Sequence, residues 1–276
     1  MFLSFWRTSP LFGLLVAALL AAPATAPARS KLKPVKILVT NDDGVKAKGI
    51  DQLVAALRKQ RRVRVVITAP ARNQSGTGGR FSFGPLKGSK TTTQSGFGAR
   101  SVRGFPADTI RYAYENLFAR PGSRPDLVIS GSNAGANMGK VVDNSGTVGA
   151  ARAGAAMGIP AIAVSQGLPK GSSDYSESVR QTIVWLRANR SKFKRLEGIV
   201  FNLNSPGCIA GTKSRGLVKR APAGLDRSGS RTNSVNCAQT APVTGTDLDA
   251  LRQGFSTLAR INAQPAKSPV GSPALP

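Results

Sequence analysis

The sequence predicts a Rossmann-like α/β fold, with a mostly parallel sheet, helices on both faces and a small C-terminal extension. Short β-branched runs alternate along the chain with segments whose apolar residues recur at helical spacing. This βαβα order favours parallel strands, because a crossover helix must join each parallel pair. The length of 276 residues and the hydrophobic content of 41% suffice for one large domain with a sizeable core.

Short apolar runs predict the strands. Residues 35–40 (VKILVT) and 63–68 (VRVVIT) combine β-branched composition with the length of a buried strand. Residues 87–103 indicate a β excursion or a loop instead of a helix, and the pattern weakens after residue 204. The remaining strands are predicted at residues 127–130, 161–165, 199–203 and 254–258.

Helical segments lie between these runs. Residues 49–60 carry apolar side chains in one stripe at helical spacing. Residues 106–118 begin with proline and have an acidic residue in the first turn, both of which favour a helix N-terminus. Residues 147–157 are rich in alanine, which permits close packing against a sheet. The remaining helices are predicted at residues 177–189 and 247–253.

The two ends of the chain differ from this pattern. Arg7 precedes an apolar run at residues 11–22, which is short for a membrane span, and small residues follow at the spacing of a signal cleavage site. We therefore predict that residues 1–28 are a cleaved signal peptide, although an uncleaved anchor or a mis-assigned start is the alternative. Residues 29–263 then form the folded domain, and the Pro/Ser-rich residues 264–276 form a disordered tail. The processed protein would be periplasmic or secreted, without membrane contact.

Export also affects the two cysteines. The sequence has two cysteines, Cys208 and Cys237. An even number of cysteines in an oxidising compartment favours pairing, so we predict a disulfide between them. Two unpaired thiols are the alternative.

The composition excludes several kinds of chemistry. The sequence has no histidine, so a Ser-His-Asp or Cys-His centre and a histidine-ligated zinc site are excluded. The excess of 39 Lys and Arg over 13 Asp and Glu favours anionic partners. Nucleic acid is not the favoured partner, because the cations are scattered and no RNA-binding aromatic signature accompanies them.

An Asn-Asp-Asp-Gly sequence, residues 41–44, follows the first predicted strand. Ligands of doubly wound α/β proteins bind at the carboxyl ends of the strands, so side chains here are candidates for a site. Asp42 and Asp43 are adjacent in an acid-poor chain, and paired carboxylates repel each other unless a cation compensates. Mg²⁺ or Mn²⁺ is the natural partner of such oxygens. The alternative is an Asx turn that merely ends the strand.

Two further polar loops follow later strands. Residues 69–79 offer hydroxyl and amide groups but lack the glycine spacing of a dinucleotide-binding loop. Residues 130–139 alternate glycines with amides, and the Lys140 that follows lacks the neighbours of a Walker A loop. Neither loop therefore indicates nicotinamide binding or ATP hydrolysis.

Residues 144–147 lead into the alanine-rich helix. Backbone N–H groups at a helix start, with the hydroxyls of Ser145 and Thr147, can bind an anion. N-capping by Asn144 or Ser145 explains the same residues, and the two functions are compatible.

Five motifs together resemble those of the SurE-type nucleotidases, the survival protein E family. They are, in chain order, VTNDDGVKAKGI, APARNQSG, GFPAD, SGSNAGANMG and NSGTVGAARAG. The resemblance covers roughly residues 35–165 and recurs at residues 201–206 and 246–255. It implies a metal-dependent phosphatase domain that releases phosphate from nucleoside 5′- and 3′-monophosphates, with broad acid-phosphatase activity as a further expectation. It also implies a homo-oligomer, with a dimer as the expected form.

The resemblance assigns roles to individual residues. The family's metal is held by two adjacent Asp, a Ser and an Asn, and these match Asp42, Asp43, Ser75 and Asn133. The cation would polarise a phosphoryl oxygen and activate water, and either Asp could also serve as general base. Zinc is disfavoured, because no His or Cys lies near these loops. The expected phosphate ligands are Asn133, Ser145, Gly146 and Thr147.

Two other functions are considered. One is a non-catalytic, basic protein that binds nucleotides or nucleic acid on the same fold. The other is a phosphatase of the haloacid-dehalogenase type, which needs an Asp-x-Asp sequence after its first strand. The carboxylates here are adjacent, and this spacing counts against the second alternative.

Overall fold

The computed structural model describes residues 1–2, 34–224 and 233–264, and the fold lies in the compact unit Lys33–Pro276. Nine strands form one sheet in the order β3-β4-β2-β1-β5-β6-β7-β9-β8. In chain order they are β1 (Val35–Thr40), β2 (Val63–Pro70), β3 (Gly88–Thr92), β4 (Gly98–Val102), β5 (Leu127–Ala134), β6 (Ala161–Gln166), β7 (Val200–Ser205), β8 (Leu217–Lys219) and β9 (Ser256–Ile261).

Among the described residues, five α-helices pack against this sheet. They are α1 (Lys48–Arg58), α2 (Pro106–Asn116), α3 (Gly146–Ala156), α4 (Ser176–Asn189) and α5 (Asp247–Arg252). Helix α1 packs with α4, and α2 packs with α3. Strand β1 shows how both faces are buried, because Ile37 and Val39 join the core under α1 and α4 while Leu38 joins the core under α2 and α3. The predicted α/β fold is confirmed.

The strand pairing brings the loops after β1 and β5 together. Strand β1 pairs in parallel with β2 on one side and with β5 on the other. Thr40 at the end of β1 lies opposite Ser130 of β5, so the residues that follow emerge side by side. The chain reverses its direction of travel across the sheet between these two strands. Such a switch point is where doubly wound proteins bind their ligands.

Several predicted boundaries were wrong. Residues 87–103 contain the antiparallel pair β3 and β4, in agreement with the predicted β excursion, whereas β8 has no predicted counterpart. Strand β5 runs on to Ala134, past the predicted end at residue 130. The last strand was predicted at residues 254–258, but Gly254 has a φ of 85° and forms a turn, so β9 begins only at Ser256.

The structure joins Cys208 to Cys237, with their Cα atoms 5.4 Å apart, in agreement with the predicted disulfide. Backbone hydrogen bonds reinforce the link, from Ile209 N–H to the Val235 carbonyl at 2.9 Å and from Val235 N–H to the Gly207 carbonyl at 2.7 Å. The segment that follows β7 is therefore held both by the disulfide and by the backbone hydrogen bonds beside it.

The predictions for the two chain ends stay open. The signal peptide of residues 1–28 and nearly all of the tail at 264–276 lie outside the described residues. In the part that the structure describes, no helix combines the length and apolar content that crossing a membrane requires.

Candidate active site

Asp42 and Asp43 lie just beyond the end of β1, and a turn closed by Asn41 holds them there. The Asn41 amide donates to the Gly44 carbonyl at 2.9 Å and accepts from the Gly44 N–H at 3.2 Å. The predicted Asx turn is therefore made by Asn41. The side chains of Asp42 and Asp43 take no part in the two hydrogen bonds of this turn.

The electrostatics of this pair are unfavourable in the absence of a cation. Asp42 is buried, and its Oδ1 accepts the Thr147 hydroxyl at 2.6 Å. Burial raises the pKa of Asp42, while the Thr147 hydrogen bond lowers it. Burial, with the charge of Asp42, raises the pKa of Asp43 to about 6. A divalent cation between the two would offset both desolvation and repulsion.

The loop after β2 brings Ser75 toward the pair. The Gln74 N–H donates to the Asp42 carbonyl at 2.7 Å, so this loop is hydrogen-bonded directly to the Asp turn. The Asn73 side chain bridges the same two segments, since it donates to Asp43 Oδ1 at 3.5 Å and accepts the Ser75 N–H at 2.8 Å. Ser75 is exposed, and its backbone is linked through Asn73 to Asp43.

The end of β5 supplies the third side of the site. The Ala134 N–H donates to Asp43 Oδ2 at 3.2 Å. The adjacent Asn133 is buried, and its Nδ2 donates to the Gly135 carbonyl at 2.7 Å. This hydrogen bond uses the amide nitrogen and keeps the side-chain oxygen of Asn133 as an acceptor for a cation or a donor.

The N-terminus of α3 forms a further side of the site, next to Asp42. The Ser145 hydroxyl caps the helix by accepting the Val148 N–H at 3.1 Å, and the Thr147 hydroxyl is bonded to Asp42. Both predicted phosphate hydroxyls thus have internal partners. A phosphate at this helix end would be contacted through the Gly146 N–H.

The donor set fits a hard cation held mainly by oxygen. Within the described ranges, no three or more His, Cys, Asp or Glu side chains are grouped so that they could hold a metal ion, so Asp42 and Asp43 would share a cation with neutral donors. Ser75 and Asn133 provide a hydroxyl and an amide oxygen at the same edge of the sheet. The structure therefore brings the four predicted ligands into one region.

Three partners of the carboxylates were not predicted from the sequence. They are Asn73, the Ala134 N–H and Thr147 in its bond to Asp42. The sequence also did not point to an electrostatic effect on Tyr175, in which burial, together with the charge of Asp43, raises the pKa of its hydroxyl to about 12. Tyr175 lies in a loop without a recognisable motif, so no sequence signal points to it.

Comparison with known proteins gives one consistent family. The family model described as "Survival protein SurE" matches residues 37–224. The chain is 40% identical over 172 residues to the 5′/3′-nucleotidase SurE of Yersinia enterocolitica serotype O:8 / biotype 1B, covering 62% of this chain and 64% of the relative. It is also 40% identical over 173 residues to the 5′-nucleotidase SurE of Desulfatibacillum aliphaticivorans, covering 62% and 65%. The chain thus matches less than two thirds of the length of these relatives.

A solved structure shows the same fold. The crystal structure of the SurE protein from Aquifex aeolicus superposes with a TM-score of 0.65 at 25% sequence identity. The match covers 83% of this chain and 94% of that protein.

Proposed function

The chain belongs to the survival protein SurE family, and from that premise we propose that it is a divalent-cation-dependent phosphomonoesterase. Its proposed substrates are nucleoside 5′- and 3′-monophosphates, which it would hydrolyse to nucleoside and phosphate. The 5′/3′-nucleotidase name of its relatives supports this substrate class. The observation that carries the proposal is the Asp42–Asp43 pair at the switch point of the sheet, with raised pKa values that a cation would lower.

The proposed cation is Mg²⁺ or Mn²⁺, held by Asp42, Asp43, Ser75 and Asn133. When bound, it would supply Lewis-acid polarisation of a phosphoryl oxygen and of water. The Thr147 hydroxyl orients Asp42 and favours its ionised form, since its hydrogen bond opposes part of the effect of burial, which raises the Asp42 pKa.

Other groups would handle the phosphate and the proton. The Gly146 N–H lies at the positive end of α3, where it can stabilise negative charge on a phosphoryl oxygen. Asp43 is less buried than Asp42, so it is the more accessible of the two carboxylates and the proposed general base.

The proposal is tested with a panel of phosphomonoesters and cations. We expect Mn²⁺ or Mg²⁺ to activate release of phosphate from AMP, and EDTA to abolish it. Sugar phosphates and p-nitrophenyl phosphate in the same panel test the broader acid-phosphatase activity. Binding of AMP without turnover under every cation would instead support the non-catalytic nucleotide-binding alternative.

Thr147 and Ser145 should differ when each is replaced. Thr147→Val removes a hydrogen bond to a carboxylate, so we expect the Mn²⁺ affinity to fall by roughly tenfold or more. Ser145→Ala removes a helix cap, which costs about 1 kcal/mol of stability, and should change kcat/KM by less than about threefold. Calorimetric Mn²⁺ titration and urea unfolding measure the two effects. Equal metal affinity in Thr147→Val and in wild type would remove Thr147 from the site.

Export is a separate proposal. The apolar run near residues 11–22 and the small residues after it support cleavage near residue 28 and a periplasmic or secreted product. The Cys208–Cys237 disulfide is consistent with an oxidising compartment. Intact mass of protein recovered from periplasm or medium should show a chain that lacks the N-terminal segment and holds no free thiol. A full-length, thiol-reactive product would contradict export.

We also propose that the protein is a homodimer, on the basis of the family resemblance. Sedimentation velocity of the purified chain measures this directly. A monomer at micromolar concentration would overturn the proposal.

A further inference from the structure

We propose that a cavity next to the Asp42–Asp43 site binds the nucleoside part of the substrate, and that the Arg180 guanidinium forms the surface on which the base stacks. This inference rests on the proposed function. The cavity has a volume of about 500 Å³, which is within the range of small-ligand sites. It lies between the N-terminal end of α4 and the segment that follows β7.

The strand register places the cavity beside the reaction site. The Ala134 N–H donates to Asp43, and Ala134 lies opposite Gln166 at the end of β6. Gln166 in turn lies opposite Ser205 at the end of β7. Gln166 and Pro206, which directly follows Ser205, both line the cavity. Neighbouring strands are separated by about 5 Å, so the cavity begins about one strand beyond the residue that contacts Asp43. A phosphate at the Asp pair could therefore extend its leaving group into the cavity.

Arg180 is the side chain in this cavity best suited to hold a flat ring. Its Nε and one terminal nitrogen donate to the two oxygens of Glu177, each at 2.9 Å. Glu177 is held in turn by the Gln181 amide at 2.9 Å and by the Ser256 hydroxyl at 3.0 Å. The guanidinium plane is thus fixed before a ligand arrives, while 56% of the Arg180 side chain stays exposed. Fixed guanidinium planes stack on aromatic rings and nucleobases.

The opposite wall of the cavity is held by the disulfide. Cys208 lines the cavity and is joined to Cys237, and the backbone ladder between Gly207 and Val235 supports the same segment. Gly207 has no room for a side chain, since a Cβ there would lie 2.0 Å from the Asn233 carbonyl oxygen. The wall is therefore tightly packed and does not depend on a ligand for its position.

The chemistry of the remaining lining fits a nucleoside better than a plain alkyl group. Ser172, Ser176 and Ser214 also line the cavity, and serine hydroxyls can donate hydrogen bonds to ribose and base and accept them. A purely apolar leaving group would exclude water from these hydroxyls and offer them no hydrogen bond in return. A nucleoside offers both the ring for Arg180 and the polar atoms for the hydroxyls.

The test compares two substrates that share a phosphate and differ in the leaving group. AMP carries a base, whereas glycerol 2-phosphate does not. With the activating cation present, we expect Arg180→Ala to raise the KM for AMP about tenfold and to change kcat by less than about threefold. Both parameters for glycerol 2-phosphate should stay within about twofold of wild type. Arg180→Lys should behave as Arg180→Ala, because lysine keeps the positive charge but lacks a planar group on which a base can stack.

A matched control and a second measurement separate the possible failures. Arg187→Ala removes the same charge from the far end of α4, where Arg187 contacts Gln60, and should leave both substrates unchanged. Adenosine binding, measured by calorimetry without added metal, should weaken about tenfold in Arg180→Ala. Adenosine binding by wild type without any phosphatase activity would overturn the proposed reaction while the subsite stands. An unchanged KM for AMP in both Arg180 variants, or an equal loss for both substrates, would overturn the subsite.

Discussion

Asp43→Asn is expected to reduce phosphatase turnover by more than about a hundredfold while leaving the protein at least as stable as wild type. Loss of a group that only orients a metal ligand typically lowers metal affinity or activity about 10–100-fold. Loss of a charged ligand itself should have a larger effect. Asp42→Asn should have the same effect on turnover, because the two carboxylates are the only anionic groups among the four proposed ligands. Wild-type turnover in either variant with Mg²⁺ or Mn²⁺ would contradict the assignment.

The stability of the Asp43→Asn variant follows from the sign of the pKa shift. The pKa of Asp43 is raised from 3.8 to about 6 in the folded protein, so the folded state holds this proton more tightly than the unfolded state. The resulting stabilisation is complete below pH 3.8 and is lost as the pH rises through about 6. Above that pH, ionised Asp43 opposes folding of the metal-free protein, and asparagine removes this effect.

Thermal unfolding without cations measures this difference. At pH 7.5 we expect the Asp43→Asn variant to unfold at the same temperature as wild type or higher, whereas adding Mn²⁺ should stabilise only wild type. Glu115→Gln is a matched control, because Glu115 is a surface acid that pairs with Arg111 on α2. It should change neither turnover nor the response to Mn²⁺.

The sequence predicted those parts of the fold that local patterns encode. Strand β1 and helices α1 and α3 were located within a few residues of their observed ends, because burial of one face imposes a period on the chain. Predicted boundaries were wrong where the backbone conformation of one residue sets the end of an element. Gly254 is an example, because its positive φ forms a turn after α5 and β9 begins only beyond it.

The proposed site also rests on local sequence patterns, and its residue roles remain predictions. The four proposed metal ligands were recognised from motifs that each lie in one short segment, and the fold brings these segments to one edge of the sheet. The roles of Ser145 and Thr147 were harder to predict, because they depend on partners distant in sequence. Thr147 and Asp42 are 105 residues apart, and no local pattern reports that their side chains meet at 2.6 Å.

Gly146 lies where α3 approaches Asp42. Its replacement by alanine should lower the activity of the site more than the stability of the fold. A Cβ at this position would lie 2.8 Å from the Asp42 Cβ and 3.0 Å from both Asp42 Oδ2 and Pro106 Cγ. Neither neighbour can move easily, because Asp42 is buried and Pro106 begins α2. The start of α3 must therefore shift, and with it the Thr147 hydroxyl that holds Asp42. A displacement of about 1 Å can lower turnover by about a hundredfold.

The stability of this variant reflects two opposing contributions. Alanine is favoured over glycine within a helix by about 1 kcal/mol, whereas overpacking costs about 1–3 kcal/mol. We therefore expect a net loss of no more than about 2 kcal/mol in urea unfolding, together with the roughly hundredfold loss of kcat/KM for AMP. Gly79→Ala is the matched control, since a Cβ at Gly79 in the neighbouring loop would meet nothing within 4 Å. That variant should keep wild-type kinetics and stability. If Gly146→Ala did so as well, the close contact between α3 and Asp42 would not be what positions the carboxylate.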